Sequence, residues 1–417
     1  MDVNIDGERL RKDIEATAEF GKVDVADGHG RTVLTGTDAD RKARERFVAE
    51  LEAADCTVRI DPVGNIAGRW VPANADPDAA PVAAGSHLDS VPEGGIFDGV
   101  LGVYGALEAV RSIQTADVEL TRPVEVVAFT EEEGQRFGIG TLGSSVAAGA
   151  RSVDDALQFT DEDGNTLKTV LEDCGFHGDA DIDPAGWDSW LELHVEQDTT
   201  LERAGLPIGI VDAITGITNC RADIIGEANH AGATPMAERR DALTAASEFI
   251  LAVEEAALET NAELSETAVG TVGSIDVSPN SRSIVPGRVE MRTDFRDVEY
   301  EAMDAIVDAA RACLDRLADE RPVETDFERY RDQRPSPMSE RCIEAAITAA
   351  DAAGLGHRVM HSAAMHDTAN VADVTDTVLL FAPSEDGFSH NPLEWTDWED
   401  CAKATTVLAG AMIDLAT

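Results

Sequence analysis

The segment from Gly85 to Gly99 constrains the fold of this chain most, because it places one imidazole and two carboxylates in a glycine-containing loop after an apolar run. The run at 81–85 is short, apolar and bounded by proline and glycine, which predicts a buried strand of a parallel sheet. His87 would then lie at the carboxyl end of the strand, where open α/β sheets bind ligands. The alternative is a solvated loop with a plain glycine turn.

The two carboxylates of this loop can both act together with His87. Asp89 follows two residues later and can accept the second ring N–H of the imidazole, which would fix its tautomer. Asp98 follows the Gly94-Gly95 bend, which can turn the loop back toward His87. The sequence therefore indicates a metal site in which Asp98 is a candidate bridge between two cations.

A second acidic element follows another predicted strand. Residues 124–130 form a mostly apolar run that leads directly into Glu131, Glu132 and Glu133. Three adjacent carboxylates repel one another, so the run is costly unless a cation or a proton occupies the site. One glutamate could ligate a metal ion while its neighbour accepts a proton from activated water. A solvated charge run is the alternative in a chain this rich in acid.

Two further histidines extend the candidate ligand set. His194 lies in the alternating stretch 190–197, which predicts a strand, and His390 lies in a loop that Pro392 stiffens. Each histidine alone is more consistent with a structural role than with metal binding. Together with the first two motifs they form a set of imidazole and carboxylate ligands that suits zinc and also accepts manganese, cobalt or nickel.

These motifs resemble those of the di-zinc aminoacylase and carboxypeptidase-like hydrolases, and within them the amidase, hydantoinase and carbamoylase branch. The resemblance extends from Asp61 to the His390 loop. Three features favour this branch: His194, where peptidases usually carry an acidic residue, the Gln-Arg-Phe run at 135–137, and Pro383-Ser384. The branch contains N-carbamoyl-L-amino-acid hydrolases, allantoate amidohydrolases and β-ureidopropionases.

The resemblance implies two divalent metal ions, expected to be zinc, with manganese, cobalt or nickel as alternatives. His87 and His194 would hold one ion. Glu133 and His390 would hold the other, with Asp98 as the bridge.

The resemblance also implies roles in catalysis and substrate binding. Glu132 matches the general base, which in the family immediately precedes the metal-bound glutamate, and Asp89 matches the residue that orients His87. Four positions are predicted to contact substrate: Gln197, His230, Ser283 and Arg296. The arginine would clamp a substrate carboxylate with its planar fork of donors, although its strand alone is equally consistent with a surface ion pair. The family usually carries asparagine in place of Ser283.

The chain as a whole is predicted to be an α/β protein with two domains. Between 216 and 329 the apolar spacing predicts a ferredoxin-like order of β-α-β-β-α-β elements. The resemblance implies that this segment is an inserted lid and dimerisation domain, so a homodimer is expected. The di-zinc exopeptidase-like catalytic domain would be discontinuous, comprising 1–215 and 330–417, with a mixed sheet and flanking helices.

The composition indicates the setting. The formal net charge is −48, and only five of the 33 basic residues are lysines, which leaves 28 arginines. Such acidity is typical of a surface adapted to molar salt, where repulsion is screened within about 3 Å, so the cytoplasm of a halophile is expected. Nucleic acid and anionic membranes are unfavourable partners, and no apolar run approaches the ~20 residues of a membrane span. The six scattered cysteines are predicted to be reduced packing residues.

The predicted function is hydrolysis of the ureido C–N bond of an N-carbamoyl-L-amino acid or related ureido acid, with release of ammonia and carbon dioxide. Allantoate and β-ureidopropionate are alternative substrates. Two other classes stay open: a di-metal peptidase or acylamino-acid hydrolase, and a non-catalytic protein that binds metal or an acidic partner. Retention of all five ligand positions and the base argues against the non-catalytic class.

Overall fold

The computed structural model describes residues 3–417, and the chain divides into two compact units. The larger unit comprises the residues up to Asp212 together with Met338–Thr417, and the smaller unit is Ala213–Pro337. The helices are α1 Gly7–Ala18, α2 Asp38–Ala53, α3 Val100–Thr115, α4 Leu142–Ala147, α5 Val153–Ala156, α6 Leu167–Cys174, α7 Thr200–Ala204, α8 Ala242–Glu263, α9 Tyr300–Glu320, α10 Glu340–Ala352, α11 Thr368–Val371 and α12 Trp398–Ala416. The strands are β1 Thr57–Ile60, β2 Ile66–Trp70, β3 Val82–His87, β4 Val124–Phe129, β5 Ser189–Val195, β6 Ile208–Ile214, β7 Gly216–Ile225, β8 Asn229–His230, β9 Val269–Ser278, β10 Ile284–Val285, β11 Arg288–Asp297, β12 Glu324–Gln333, β13 Ser336–Pro337, β14 His357–Ser362 and β15 Asp376–Ala382.

A mixed sheet with flanking helices forms the centre of the larger unit, as predicted. Its strand order is β1-β2-β4-β3-β5-β15-β6, and β14 also pairs with β6. Strand β3 is parallel to β4 and β5, and β15 is parallel to β5. The carboxyl ends of these four strands therefore lie at one edge of the sheet, which is where open α/β sheets place their ligand sites.

The central strands are buried on both faces, which explains their nearly continuous apolar sequences. Every residue of β3, β4 and β5 is buried, and α3 and α12 pack against this part of the sheet. Gly99, with φ +67°, precedes the first residue of α3. A Cβ atom at this position would lie 2.5 Å from the His87 ring, so only glycine allows the helix to begin directly behind the metal-site loop.

The smaller unit is built on a four-stranded antiparallel sheet in the order β12-β7-β11-β9. Apart from the short β8 and β10, its chain order is β7-α8-β9-β11-α9-β12, which is the order that the apolar spacing predicts. Along β11, alternate residues Val289, Met291 and Phe295 are buried in a core shared with α8 and α9. Arg292 and Arg296 alternate with them, so they lie on the opposite face of the sheet.

Two predictions concern the chain as a whole. All six cysteines are free and buried, as the sequence predicts. Between residues 3 and 417, no helix is both long enough and apolar enough to cross a lipid bilayer.

Candidate metal centre

Two histidines and an aspartate predicted as ligands meet at the carboxyl edge of the central sheet. His87 ends β3 and His194 lies near the end of β5, and the register between the strands places their rings opposite each other, with centroids 5.8 Å apart. Asp98 comes from the loop between β3 and α3. Its Oδ1 atom lies 3.3 Å from His87 Nε2 and 3.2 Å from His194 Nε2. All three side chains are buried, and together they form a first candidate ligand group.

A second candidate ligand group shares Asp98. His390 Nε2 lies 3.3 Å from Glu133 Oε2 and 3.7 Å from Asp98 Oδ2. Within each group, one ligand atom from every residue lies within 4.8 Å of the others. The two oxygens of Asp98 therefore face different groups, which is the arrangement needed by a carboxylate that bridges two cations.

The spacing and chemistry of these atoms fit divalent metal ions. Two atoms that each lie about 2.1 Å from a tetrahedral ion are about 3.4 Å apart, and three of the pairs here are separated by 3.2 or 3.3 Å. His87 Nε2 and Glu133 Oε1 are also buried without a hydrogen-bond partner among residues 3–417. Buried polar atoms are rarely left unpaired in proteins, so both atoms are consistent with metal coordination.

Electrostatics of the site also favour bound cations. Burial raises the pKa of Glu133 to about 9, and the charge of Asp98 adds to the effect. Burial also raises the pKa of Glu132 well above its ordinary value, against the opposing charge of His87. Burial also acts to raise the pKa of Asp98. The charges and hydrogen bonds of His194 and His87 outweigh this effect and hold the pKa of Asp98 well below the usual range. The histidines therefore stabilise the Asp98 carboxylate, whereas Glu132 and Glu133 would ionise more readily beside further positive charge.

The three consecutive glutamates occupy different environments. Glu131, with φ +56°, accepts hydrogen bonds from the backbone N–H groups of Arg136 and Phe137 at 2.7 and 2.8 Å, so its carboxylate closes the loop. Glu133 belongs to the second ligand group. Glu132 belongs to neither group, yet its Oε2 atom lies 3.6 Å from His87 Nε2. Among the three, Glu132 is therefore the carboxylate beside the ligands that remains available for proton transfer.

Asp89 contacts His87 mainly through its main chain. His87 Nδ1 lies 3.1 Å from the backbone oxygen of Asp89, but 3.6 Å from its carboxylate. The carboxylate instead accepts hydrogen bonds from the backbone N–H groups of Glu132 and Glu133, at 3.3 and 3.2 Å. Asp89 thus connects the end of β3 to the glutamate loop. Sequence reasoning did not identify this connection, because main-chain contacts leave no residue signature.

Gln197, predicted to contact substrate, lies beside the bridging aspartate. Its Nε2 atom donates to Asp98 Oδ2 at 3.1 Å and to Ser389 Oγ at 2.9 Å. Its backbone has φ +62°, and that of His390 has φ +54°. Positive φ values are uncommon for residues other than glycine and are often found at functional sites.

The other three predicted substrate residues belong to the smaller unit. His230 and Ser283 lie near each other there, because β8 pairs with β10 and the backbone N–H of Ala231 donates to the carbonyl oxygen of Ser283. Arg296 lies on β11 and donates to Asp294 from Nε at 2.8 Å and from Nη2 at 3.3 Å. This pair is partly exposed to solvent.

Two buried polar residues near the candidate ligands, Glu192 and His366, were not assigned a role from the sequence. Glu192 accepts hydrogen bonds from Ser86 Oγ at 2.7 Å and from Thr368 Oγ1 at 2.6 Å. The His366 ring lies edge-on to that of His194, with centroids 4.5 Å apart. The alternation of β5 places Glu192 on the same face as His194, and this was the one signal available in the sequence.

Comparisons with known proteins identify the family of this chain. Residues 83–414 match the profile of peptidase family M20/M25/M40. The chain is similar to an N-carbamoyl-L-amino acid amidohydrolase of Geobacillus stearothermophilus, with 38% identity over 416 residues, covering 99% of both chains. It is 32% identical over 389 residues to the allantoate amidohydrolase of Escherichia coli, covering 93% of both chains. A crystal structure of an amidase of the hydantoinase/carbamoylase family from Burkholderia multivorans superposes with a TM-score of 0.91 at 36% identity, covering 99% of this chain and 98% of that one.

Proposed function

The chain belongs to peptidase family M20/M25/M40, and we propose that it hydrolyses the ureido C–N bond of an N-carbamoyl-L-amino acid, releasing ammonia, carbon dioxide and the free amino acid. It is an amidohydrolase that acts on C–N bonds other than peptide bonds. The observation that carries the proposal is the pair of ligand groups sharing Asp98, with Glu132 beside them. Relatives that match nearly the whole chain support the ureido substrate class.

Divalent metal ions are the cofactor that both ligand groups fit. We propose two ions, expected to be zinc: His87 and His194 would hold one, Glu133 and His390 the other, and Asp98 would bridge them. When bound, the ions would polarise the ureido carbonyl and make water a stronger nucleophile at neutral pH. This help is needed because two nitrogens donate electron density into the ureido carbonyl and make it a poor electrophile.

Glu132 is the proposed general base and acid. It would accept a proton from the attacking water and deliver it to the leaving nitrogen. Asp89 would position it, because the Asp89 carboxylate accepts a hydrogen bond from the Glu132 backbone N–H at 3.3 Å, while its main chain contacts the His87 ring. Glu131 is less suited to this role, because its Oε1 atom already accepts hydrogen bonds from two backbone N–H groups.

Four residues are proposed to recognise the substrate. Arg296 would bind the substrate carboxylate, a task that suits a planar bidentate donor. His230 would polarise the scissile carbonyl, and Ser283 beside it would contact the substrate where the family usually has asparagine. Gln197 would contact substrate from its position next to Asp98.

The segment 216–329 is proposed to be a lid and dimerisation domain, inserted into a catalytic domain of 1–215 and 330–417. Two features of the smaller unit support a homodimer. Strand β9 is an edge of its sheet, so on one side it pairs with no other strand among residues 3–417. On α8, Leu251 and Leu258 are 63% and 66% exposed, which is costly unless another surface covers them.

The acid-rich composition supports a proposal about the working environment. A net charge of −48 with 28 arginines and five lysines suits an enzyme in the cytoplasm of a halophile, where salt screens the repulsion. Assays are therefore best performed in molar potassium chloride.

The function is tested by ammonia release from purified protein supplied with zinc or manganese. The substrates are N-carbamoyl-L-amino acids, β-ureidopropionate, allantoate, N-acetyl amino acids and dipeptides, each with a chelator control. We expect chelator-sensitive ammonia from an N-carbamoyl-L-amino acid. Allantoate is the second candidate, because one relative is an allantoate amidohydrolase. Amino-acid release from the acyl or peptidyl substrates, without ammonia from any ureido substrate, would contradict the proposal.

A further inference from the structure

Glu394 lies beside the metal centre, although it belongs to neither candidate ligand group. It follows His390 by four residues, and its side chain is almost completely buried. Its Oε1 atom accepts hydrogen bonds from two consecutive backbone N–H groups, those of Phe97 at 2.9 Å and Asp98 at 3.0 Å. One carboxylate oxygen therefore holds the main chain of the bridging aspartate, from a loop almost 300 residues away along the chain.

The loop that carries Glu394 packs closely against the loop that carries Gly95 and Asp98. A Cβ atom on Gly95 would lie 2.3 Å from Glu394 Oε1 and 2.5 Å from its Cβ atom, so glycine at this position is required for the approach. The loop containing His390 also contacts Asp98 a second time, because Ser389 Oγ donates to Asp98 Oδ2 at 2.9 Å. His390 thus lies between two residues that both hold Asp98, one through its carboxylate and one through its backbone.

The turn that carries Glu394 is itself well defined. The backbone N–H of Glu394 donates to the carbonyl oxygen of Asn391 at 3.0 Å, and the N–H of Leu393 donates to the Asn391 side chain at 2.9 Å. The distance from His390 to Glu394 is therefore set by local hydrogen bonds. A shift of Glu394 would move Asp98 relative to His390, and Asp98 Oδ2 is the oxygen that faces the His390 group.

We propose that Glu394 is a positioning residue for the second metal ion: by holding the Asp98 backbone, it sets the bridging carboxylate at the correct distance from His390 and Glu133. The proposal rests on the two-metal centre proposed above. Groups that orient metal ligands from outside the coordination sphere typically contribute about 10- to 100-fold to metal affinity. The effect is expected mainly at the second ion, because the first is also held by two histidines on neighbouring strands.

The test measures zinc binding rather than turnover. Metal-free protein is titrated with zinc against a chromophoric chelator, and the zinc content is measured after desalting. Glu394→Met, which removes the acceptor but keeps a side chain of similar length, is expected to weaken the second binding step by about 10- to 100-fold and leave the first nearly unchanged. Glu394→Gln keeps an acceptor oxygen, so it is expected to bind two ions with affinities close to those of the unmodified chain.

Gly95→Ala provides an independent test that leaves Glu394 in place. Its new methyl group would push the glutamate away from the two N–H groups, so it is expected to weaken the same step. In the Gly95→Ala, Glu394→Met double variant the two losses are expected not to add, because both act on one contact. Thr396→Val is the matched control: Thr396 is equally buried two residues further on, and its hydroxyl has no hydrogen-bond partner among residues 3–417.

The outcomes separate this proposal from the one on which it rests. If the unmodified chain binds fewer than two ions, the two-metal centre and the role of Glu394 both fail. If the unmodified chain binds two ions and Glu394→Met or Gly95→Ala binds them equally well, the role of Glu394 alone fails. If Glu394→Met does not fold, as judged by circular dichroism, the proposal is tested by comparing the zinc affinities of Gly95→Ala and Thr396→Val. Equal weakening in Thr396→Val would mean that any change in this loop disturbs the site, and would also overturn the proposal.

Discussion

The larger and smaller units both carry many charged side chains, but they use them differently. In the larger unit, His87, Asp98 and His194 are buried together at the carboxyl edge of a sheet. In the smaller unit, charges line the open face of an antiparallel sheet in partly exposed pairs, such as Arg221 with Glu328 at 3.0 Å. Charged side chains are thus buried together at a strand end in one unit and partly exposed to solvent in the other.

The difference comes from the cost of burying charge. An exposed ion pair contributes about 0–1 kcal/mol, because water already stabilises both partners. A buried charge without compensation costs several kcal/mol, so a cluster of buried carboxyl groups persists only if protons, cations or hydrogen bonds stabilise it. Several like charges buried together at a strand end therefore indicate function more strongly than a large number of exposed charges does.

The largest effect is expected from Glu132→Gln in the larger unit. The variant keeps the shape of the side chain but cannot accept a proton, so kcat should fall by about 10²- to 10⁴-fold. Zinc content should not change, because Glu132 belongs to neither ligand group. Turnover and zinc content are measured on the same preparation. Glu131→Gln is the control and should lose far less activity, and loss of zinc from Glu132→Gln would instead make Glu132 a ligand.

Removal of the metal ions should make the stability of the larger unit depend on pH. Burial raises the pKa of Glu133 from 4.5 to about 9, so the folded metal-free protein retains a proton that the unfolded chain has lost. This contribution to stability is fully present below pH 4.5 and is lost as the pH rises through about 9. The rise in Tm on adding zinc should therefore be larger at about pH 9 than at about pH 6. Equal rises in thermal scans at both pH values would contradict this.

Arg296→Lys tests whether Arg296 in the smaller unit binds substrate, unlike the exposed ion pairs around it. If Arg296 clamps the substrate carboxylate, loss of the bidentate contact should raise KM roughly tenfold and change kcat little. Steady-state kinetics with the N-carbamoyl substrate measure both constants. Arg292→Lys is the matched control, because Arg292 lies on the same face of β11, 60% exposed and paired with Glu290 at 3.4 Å. If KM and kcat are the same in both variants, Arg296 forms only a surface ion pair and does not clamp the substrate.

The smallest effect is expected from Arg221→Gln in the smaller unit. Removing its pairs with Glu328 at 3.0 Å and Asp223 at 3.3 Å should change the free energy of unfolding by less than about 1 kcal/mol, and by even less in molar salt, because Arg221 is 40% exposed and Arg288 still pairs with Asp223. Urea unfolding at low and high salt measures the change. Arg44→Gln in the larger unit is the contrast, because Arg44 and Asp40 are almost fully buried and paired at 2.8 Å, and breaking such a pair costs about 3–5 kcal/mol. Similar losses in both variants would contradict the comparison between the units.

Local patterns were sufficient to predict much of the fold. The apolar run before His87, the run before the three glutamates and the alternation around His194 each correspond to a strand that ends at the site. The order of the main elements between 216 and 329 was likewise predictable, because helix and strand periodicities depend on neighbouring residues. The apolar spacing predicts a helix at 241–258, and α8 extends to Glu263, five residues beyond that end, because a helix end depends on capping and packing rather than on periodicity.

The sequence by itself predicted the central sheet, because strand patterns depend on residues near one another in the chain, and its resemblance to the amidase, hydantoinase and carbamoylase branch implied the family and a ureido substrate. Only the tertiary structure decided which atoms meet. It directed the two oxygens of Asp98 toward different ligand groups, and it placed Glu394 on the Asp98 backbone. These contacts join segments that are far apart in sequence, and their distances depend on how the sheet and loops pack, which no local pattern encodes.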